Sequence, residues 1–205
     1  MNLYDYVKSV IIMSDIENTN KNTKEKKTFL DEFLEWAEAF VFAIFIVILI
    51  FTFFIRIVVV KGNSMNDTLH DKERVIISHI NYEPEQGDIA VINSRVLGEV
   101  IIKRVIGTAG DKVVVDYNTN TVTVNGQKID NSYIKEPMED YSQFDLSYKV
   151  SEKVYEYDVP ENCIFVMGDN RNNSADSRMI GFINKSDVLG KAFFRMYPLN
   201  SAGKI

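Results

Sequence analysis

A serine and a lysine near the middle of the chain are of types that together carry out nucleophilic catalysis. Ser64 lies in a polar segment and Lys103 in an apolar run. A serine hydroxyl becomes a nucleophile when a base takes its proton, and a lysine amine acts as that base only while it is neutral. On a strand, Lys103 shares its face with Ile101 and Val105, and desolvation on such a face lowers the pKa of an amine. The neighbouring Arg104 cannot replace it, because a guanidinium stays protonated.

Each of these signals also has a purely structural interpretation. Ser64-x-x-Asp67 resembles a helix capping box, and Lys103 fits an edge strand from which its ammonium reaches solvent. A third segment, residues 168–178, is dense in small polar and charged side chains and follows an apolar strand. It is typical of a solvated turn or of a loop that supports a catalytic site.

The segments that must hold these residues differ in composition. Residues 1–35 are polar and mixed in charge, which predicts a mobile tail. Residues 36–56 are almost wholly apolar, with Trp36 and Arg56 at the two ends. About twenty helical residues span the roughly 30 Å of bilayer hydrocarbon, so we expect a transmembrane anchor there. A separate domain then covers residues 57–205.

The orientation of this anchor follows from the basic residues that flank it. Four basic side chains lie within about twenty residues of each end. Long translocated domains largely escape the positive-inside rule, so the cluster in the tail carries more weight. We expect a single-pass protein of the cell membrane, with a cytoplasmic N-terminus and an extracytoplasmic domain.

Short apolar runs broken by turns characterise residues 57–205. Residues 74–78 and 163–167 are two such runs, and Asn125-Gly126 is a hairpin signal. Long segments with helical periodicity are missing from this part of the sequence. The pattern predicts a mainly β, antiparallel and barrel-like domain.

Composition excludes several classes of function. The net charge is −6 and no basic stripe is present, so we expect no nucleic-acid partner. Cys163 is the only cysteine, which excludes an intramolecular disulfide and a cysteine-rich zinc site. We expect neither a metal nor another cofactor.

In combination and in this order, the segments around Ser64, around Lys103 and at residues 168–178 resemble the bacterial type I signal peptidases. The resemblance covers roughly residues 58–197. Three matches carry it: a Ser-Met and Thr-Leu pattern at 64–69, the lysine strand at 102–107, and a Gly-Asp-Asn-Arg, Ser, Asp-Ser-Arg box at 168–178. It implies the signal peptidase and self-cleaving-repressor type of β fold behind one N-terminal transmembrane helix.

The resemblance also implies a function and a set of roles. The protein would be a membrane-bound serine endopeptidase that removes N-terminal signal peptides from secretory precursor proteins, with these precursors and the lipid bilayer as partners. Ser64 would attack the scissile carbonyl, with its backbone N–H in the oxyanion hole, and Lys103 would be the base. Ser174 would hold the lysine ammonium in line. The further supporting residues would be Gly62, Asp169, Arg171, Asp176 and Arg178. A substrate-binding set of shallow apolar pockets, which admit only small side chains, would comprise Val60, Met65, Leu69, Ile101 and Ile102.

Two positions depart from the family pattern. Asp67 stands where the family commonly has proline, which affects local rigidity rather than the chemistry. Gly62 stands where some relatives carry a serine whose hydroxyl assists the oxyanion hole. A backbone group or a water would have to serve there instead.

Several alternatives remain open at this point. His70 and His79 allow a Ser/His/Asp hydrolase, although the sequence has no Gly-x-Ser-x-Gly elbow. Ser132-x-x-Lys135 fits a penicillin-binding type enzyme, although Lys-Thr-Gly is missing. A self-cleaving repressor would carry a DNA-binding region, which this sequence lacks. The non-enzyme alternative is a catalytically inactive, membrane-anchored β-domain with an interaction role.

Overall fold

The computed structural model describes residues 6–9, 13, 28–54, 56–134, 136–140 and 146–205. The chain divides into two compact units, residues 1–49 and 50–205. Most of the tail predicted at residues 1–35 lies outside the described residues.

Helix α1 (Phe29–Phe54) is 26 residues long. Its start is capped reciprocally, because the backbone N–H of Thr28 donates to Asp31 Oδ2 at 2.8 Å and the N–H of Asp31 donates to Thr28 Oγ1 at 3.3 Å. In the part of the chain that the structure describes, no helix is both long enough and apolar enough to count as a membrane span. The anchor predicted at residues 36–56 is therefore not confirmed.

The second unit is built of short strands with little helix. Its strands are β1 (Arg56–Val59), β2 (Arg74–Ser78), β3 (Ile89–Ser94), β4 (Glu99–Thr108), β5 (Lys112–Asp116), β6 (Thr121–Val124), β7 (Gln127–Lys128), β8 (Lys149–Ser151), β9 (Val154–Asp158), β10 (Cys163–Met167), β11 (Ile183–Asn184), β12 (Val188–Tyr197) and β13 (Gly203–Lys204). One-turn helix α2 (Ser177–Ile180) and 3-10 turns at Leu146–Tyr148, Lys185–Asp187 and Leu199–Ser201 complete it.

The strands form two antiparallel sheets. The larger has the order β1-β2-β12-β3-β4-β10-β11, with β13 paired to β12, and the smaller has the order β7-β6-β5-β9-β8. The mainly β, antiparallel prediction is confirmed. The barrel-like prediction is not, because neither sheet pairs its first strand with its last among the described residues. The predicted hairpin at Asn125-Gly126 is present between β6 and β7, and both turn residues have the positive φ that this turn type requires.

Alternation of side chains along the strands builds the core. In β9, Tyr155 and Tyr157 point inward and are each 1% exposed. They pack in one cluster with Ile106 of β4 and Phe165 of β10, so strands of both sheets share that core. Strand β4, which carries Lys103, lies between β3 and β10 in the larger sheet and is mostly buried after its first two residues.

Candidate active site

Ser64 and Lys103 meet, although 39 residues separate them in the sequence. Lys103 Nζ lies 2.6 Å from Ser64 Oγ. Ser64 is half-buried on the loop between β1 and β2, and no described helix begins there, so the helix-cap interpretation is not supported. Lys103 is 3% exposed and pairs with Ala90 of β3 within the sheet. The alternative of a solvent-reaching lysine on an edge strand is wrong.

Burial sets the electrostatic character of Lys103. Desolvation is the largest effect and lowers the pKa of the amine below its usual value. The nearby Asp176 carboxylate opposes this shift, and the Arg178 guanidinium adds to it. The net lowering raises the fraction of neutral amine at a given pH, and only the neutral amine can accept a proton.

Asp176 and Arg178 form a buried ion pair at the start of α2. Arg178 Nε donates to Asp176 Oδ1 and Arg178 Nη2 to Asp176 Oδ2, each at 2.8 Å, and both side chains are fully buried. Burial alone would raise the pKa of Asp176, but the Arg178 charge and hydrogen bonds hold it below the usual value. The same carboxylate accepts the backbone N–H of Gly168 at 2.9 Å. The pair therefore closes the loop 168–178 on itself.

Asp169 connects this loop to the two segments that carry Ser64 and Lys103. Its carboxylate accepts two hydrogen bonds from Arg104, at 2.9 and 2.7 Å, and one from the Thr68 hydroxyl at 2.6 Å. Arg104 lies in β4 directly after Lys103, and its guanidinium also stacks on the Tyr133 ring at 4.3 Å. Sequence reasoning excluded Arg104 as a base and treated Thr68 only as part of a motif, so it missed both as members of the site. Their position next to the lysine and in the Thr-Leu pair was the available signal.

The loop 168–178 packs directly on the backbone of the serine turn. Asn170 N–H donates to the carbonyl of Ser64 at 3.0 Å, and the Asn170 side chain donates to the carbonyl of Asn63 at 3.2 Å. A Cβ on Gly168 would lie 2.5 Å from the Ser64 carbonyl oxygen and 2.6 Å from Ser174 Cβ. Only glycine fits at this position. Sequence reasoning included Gly168 in the box but gave it no role.

The remaining supporting residues lie around the same loop. Ser174 Oγ is buried, and its interaction with the Asp176 carboxylate helps to lower the pKa of that group. Among the described residues it makes no hydrogen bond to Lys103, so its predicted contact with the lysine ammonium stays a prediction. Arg171 is 3% exposed and donates through Nε to the Gly168 carbonyl at 3.1 Å. Gly62 is exposed, adopts a φ of +77° that favours glycine, and donates its N–H to Asp71 at 2.9 Å.

Two adjoining cavities open beside the serine and lysine. The smaller, of about 230 Å³, is lined by Ser64 and Lys103 together with Gly62, Ile101 and Ile102. The larger, of about 830 Å³, lies along β1 and the start of β4. Lys61, Glu99, Val100 and Ile102 line both.

The predicted substrate-binding residues divide into two groups. Ile101 and Ile102 line the smaller cavity. Val60, Met65 and Leu69 are instead 2%, 2% and 0% exposed and belong to a hydrophobic cluster under the serine loop. They do not line either cavity, so their predicted contact with substrate gains no support.

The rival catalytic groups lie elsewhere. His70 Nδ1 faces Glu73 at 3.4 Å, and within the described part of the chain neither His70 nor His79 hydrogen-bonds Ser64. The Ser132 hydroxyl bonds Asp130 at 3.0 Å, whereas Lys135 lies outside the described residues. Within the described residues, no three histidine, cysteine or carboxylate side chains are arranged to hold a metal ion.

Comparison with known proteins places the chain in a family. A family model described as signal peptidase, peptidase S26, matches residues 33–197. The chain belongs to this family. It is 36% identical to signal peptidase I S of Bacillus subtilis, over 90% of this chain and 98% of the relative. It is 35% identical to signal peptidase I T of the same organism, over 92% of this chain and 97% of the relative. The peptidase S26 membership and these relatives make the chain a serine peptidase.

A crystal structure of a signal peptidase I from Enterococcus faecalis V583 also matches. The sequence identity is 27% and the TM-score is 0.41, over 54% of this chain and 97% of that chain. So low a TM-score supports no further comparison of the two folds.

Proposed function

We propose that this S26 peptidase is a membrane-bound endopeptidase that removes N-terminal signal peptides from secretory precursor proteins, with Ser64 as nucleophile and Lys103 as base. The observation that carries the proposal is the 2.6 Å contact between Lys103 Nζ and Ser64 Oγ, with the lysine 3% exposed. A buried amine beside a half-buried hydroxyl provides the nucleophile and base that acyl transfer requires.

In the first half of the reaction, Ser64 Oγ attacks the scissile carbonyl carbon while its proton passes to the neutral Lys103 amine. The oxygen of the substrate carbonyl takes up the negative charge of the tetrahedral intermediate. Collapse of the intermediate breaks the carbon–nitrogen bond, and the Lys103 ammonium gives its proton to the leaving amine. The products are the acyl ester on Ser64, a free mature N-terminus and a neutral lysine again.

In the second half, a water molecule attacks the ester. Lys103 takes a proton from the water and returns it to Ser64 Oγ as the ester bond breaks, which releases the signal peptide as a carboxylic acid. The same pair thus serves both steps, since a base in one direction is an acid in the other.

The oxyanion would be stabilised by the Ser64 backbone N–H. Among the described residues this N–H donates no hydrogen bond, while the Ser64 carbonyl is held by Asn170. No described residue therefore competes with a substrate oxygen for this donor. Gly62 contributes no side chain at the rim of the cavity.

The supporting residues would act by fixing the serine turn and by setting the charge around the lysine. Asp169 ties the loop 168–178 to Thr68, and Arg171 ties it to Asn131. Gly168 allows that loop to approach the Ser64 carbonyl. Asp176 and Arg178 have opposing effects on the pKa of Lys103. Ser174 would orient the ammonium once it has formed.

The substrate would bind as an added strand. In the larger sheet β10 pairs with residues 104–108 of β4, so residues 99–102 have one edge unpaired within the described part of the chain. Among the described strands, β1 ends the same sheet and pairs only with β2. An extended segment between these two edges would gain backbone hydrogen bonds. The limited volume at Ile101 and Ile102 favours a small side chain before the scissile bond.

Membrane attachment forms part of the proposal and rests on composition. Residues 36–56 would be the anchor, residues 1–35 a cytoplasmic tail, and residues 57–205 the extracytoplasmic catalytic domain. This arrangement would hold the active site on the side where signal peptides emerge. Labelling by an impermeant thiol reagent of a cysteine placed at Asn118 in intact cells tests it, and labelling at Asn20 instead would reverse the orientation.

The chemistry is tested by substituting the dyad in the full-length chain in detergent, with a secretory precursor as substrate. Ser64→Ala and Lys103→Ala should each reduce cleavage by at least about a thousandfold, and the double variant should be no worse than either, because the pair acts as a unit. Ser132→Ala and Lys185→Ala are matched controls that should cleave normally, and Ser132→Ala also tests the rival Ser-x-x-Lys site.

Two outcomes would overturn the proposal. If Lys103→Ala keeps more than about a tenth of the rate, Lys103 is not the base. If the unmodified chain cuts no precursor, the anchored, catalytically inactive β-domain becomes the better description.

A further inference from the structure

An arginine far along the sequence holds the end of the loop that carries Ser64. Arg195 lies in β12, and its Nη2 donates to the carbonyl oxygen of Thr68 at 2.8 Å across 127 residues of sequence. Thr68 is the fourth residue after Ser64. Its hydroxyl is bound on the other side by Asp169 at 2.6 Å. The Thr68 main chain and side chain are thus fixed from two directions.

Arg195 is itself held by a buried carboxylate. Its Nη1 donates to Glu73 Oε1 at 3.3 Å, and its Nε lies 3.2 Å from Glu73 Oε2. Glu73 is 6% exposed, and its backbone carbonyl accepts the N–H of Val60 at 2.8 Å. The guanidinium therefore spans from the Thr68 carbonyl to the residue immediately before β2.

Other hydrogen bonds hold the loop before Thr68. Asn170 N–H donates to the Ser64 carbonyl at 3.0 Å, and Asn66 N–H donates to the Asn63 carbonyl at 3.1 Å. The loop includes no strand or helix between β1 and β2, and its local backbone bonds include Leu69 N–H to Met65 O at 2.8 Å. Met65 and Leu69 pack into the cluster beneath it, which resists lifting of the loop but directs no hydrogen bond. The Arg195 and Asp169 contacts supply directional restraints at the end of the turn.

We propose that Arg195, held by Glu73, is a positioning residue for peptide-bond cleavage. It fixes the Ser64 loop at Thr68, so that Ser64 Oγ stays within hydrogen-bonding distance of Lys103. This inference rests on Ser64 as the nucleophile. Removal of the guanidinium leaves the substrate cavity intact, because neither Arg195 nor Glu73 lines it. The loss therefore falls on kcat rather than on KM.

Steady-state kinetics of the full-length chain in detergent at pH 8 test the proposal. Arg195→Ala should lower kcat about 10- to 100-fold, as expected for a displacement approaching 1 Å at the reacting atoms. KM should stay within about threefold of the unmodified enzyme. Arg195→Lys should recover part of kcat, because a lysine ammonium can donate to either the Thr68 carbonyl or the Glu73 carboxylate. It lacks the planar set of donors with which a guanidinium binds both groups at once.

Arg74→Ala is the matched control. Arg74 follows Glu73 in β2, is exposed, and faces the Tyr197 ring at 5.6 Å instead of the serine loop. Its removal should leave kcat unchanged.

A second-site substitution separates positioning from stability. Arg195→Ala leaves the buried Glu73 carboxylate without its guanidinium partner. Adding Glu73→Gln should therefore raise the thermal unfolding midpoint of the Arg195→Ala variant. It should not restore kcat, because the Thr68 carbonyl still lacks its donor. Recovery of kcat together with the midpoint would show that Arg195 acts through stability alone and would overturn the inference.

The inference also fails if Arg195→Ala keeps kcat within about threefold of Arg74→Ala, or if only KM changes. Should Arg195→Ala not fold, Arg195→Lys and Glu73→Gln give the same comparison with smaller losses. Failure of the proposed function is distinct, because it would appear as activity retained by Ser64→Ala, whatever Arg195 does.

Discussion

Gly168→Ala places one methyl group at the point where the loop 168–178 meets the serine turn. The new Cβ would lie 2.5 Å from the Ser64 carbonyl oxygen and 2.6 Å from Ser174 Cβ, and closer still to Ser174 Oγ. To reach 3.0 Å, the Ser64 carbonyl must retreat by about 0.5 Å and Ser174 Cβ by about 0.4 Å. Overpacking of this kind costs about 1–3 kcal/mol of stability.

The displacement falls on the nucleophile residue itself. A misplacement of about 1 Å costs on the order of a hundredfold in rate, so about 0.5 Å at Ser64 should cost about tenfold or more in kcat. Single-turnover cleavage of a precursor in detergent measures this loss without interference from product release. Urea unfolding of the same sample measures the loss of stability.

Two glycines provide matched controls. Gly203→Ala meets no atom within 4 Å and should leave both activity and stability unchanged. Gly107→Ala meets Val113 Cγ2 at 2.7 Å in the core and should lose stability while keeping most of kcat. The packing argument for the site is refuted if Gly168→Ala cleaves as fast as Gly203→Ala. It is also refuted if Gly168→Ala and Gly107→Ala lose the same stability and Gly168→Ala loses no more of its cleavage rate.

Two further predictions concern the charge of Lys103. The Glu99 carboxylate raises the pKa of Lys103, so Glu99→Gln should lower that pKa and move the acidic limb of the pH–rate profile to lower pH. The control variant Glu161→Gln should leave that limb in place. A shift of the limb to higher pH in Glu99→Gln would contradict this argument. Burial depresses the pKa of Lys103 in the folded protein below the value of 10.5 of a free lysine. The unfolded chain therefore binds the lysine proton more tightly than the folded protein does. As the pH falls below 10.5, this difference increasingly lowers the free energy of unfolding. Lys103→Met should therefore raise the free energy of unfolding at pH 7 by about 1 kcal/mol, as measured by urea titration. Above pH 10.5 the same substitution should raise it by less. A Lys103→Met variant that is less stable than the unmodified protein at pH 7 would refute the argument.

The contrast between Lys103 and Met65 shows how far local pattern reaches. The alternation of Val100 to Ile106 predicted that Lys103 shares an apolar face, and its burial in β4 confirms this. Met65 and Leu69 were assigned to substrate pockets because they flank the nucleophile in sequence. They turned inward instead, since a loop with apolar side chains lowers its free energy by burying them beneath itself.

The barrel-like expectation failed for a related reason. Strand runs and the Asn125-Gly126 turn are local signals, and they predicted the strands and the hairpin between β6 and β7. Whether sheets close on themselves depends on which strand edges pair over long sequence distances. Here β12 inserts between β2 and β3, and the smaller sheet pairs separately.

The sequence by itself determined the alternation of the strands, the family motifs and the residue types that do acyl transfer, because these depend on nearest neighbours and on intrinsic chemistry. Only the tertiary structure decided that Lys103 Nζ comes within 2.6 Å of Ser64, that Asp169 joins Thr68 to Arg104, and that Arg195 reaches the serine loop across 127 residues. Such contacts depend on strand order and on side chains that meet across separate segments. No local pattern encodes them, since each partner must be buried and oriented by a different part of the fold.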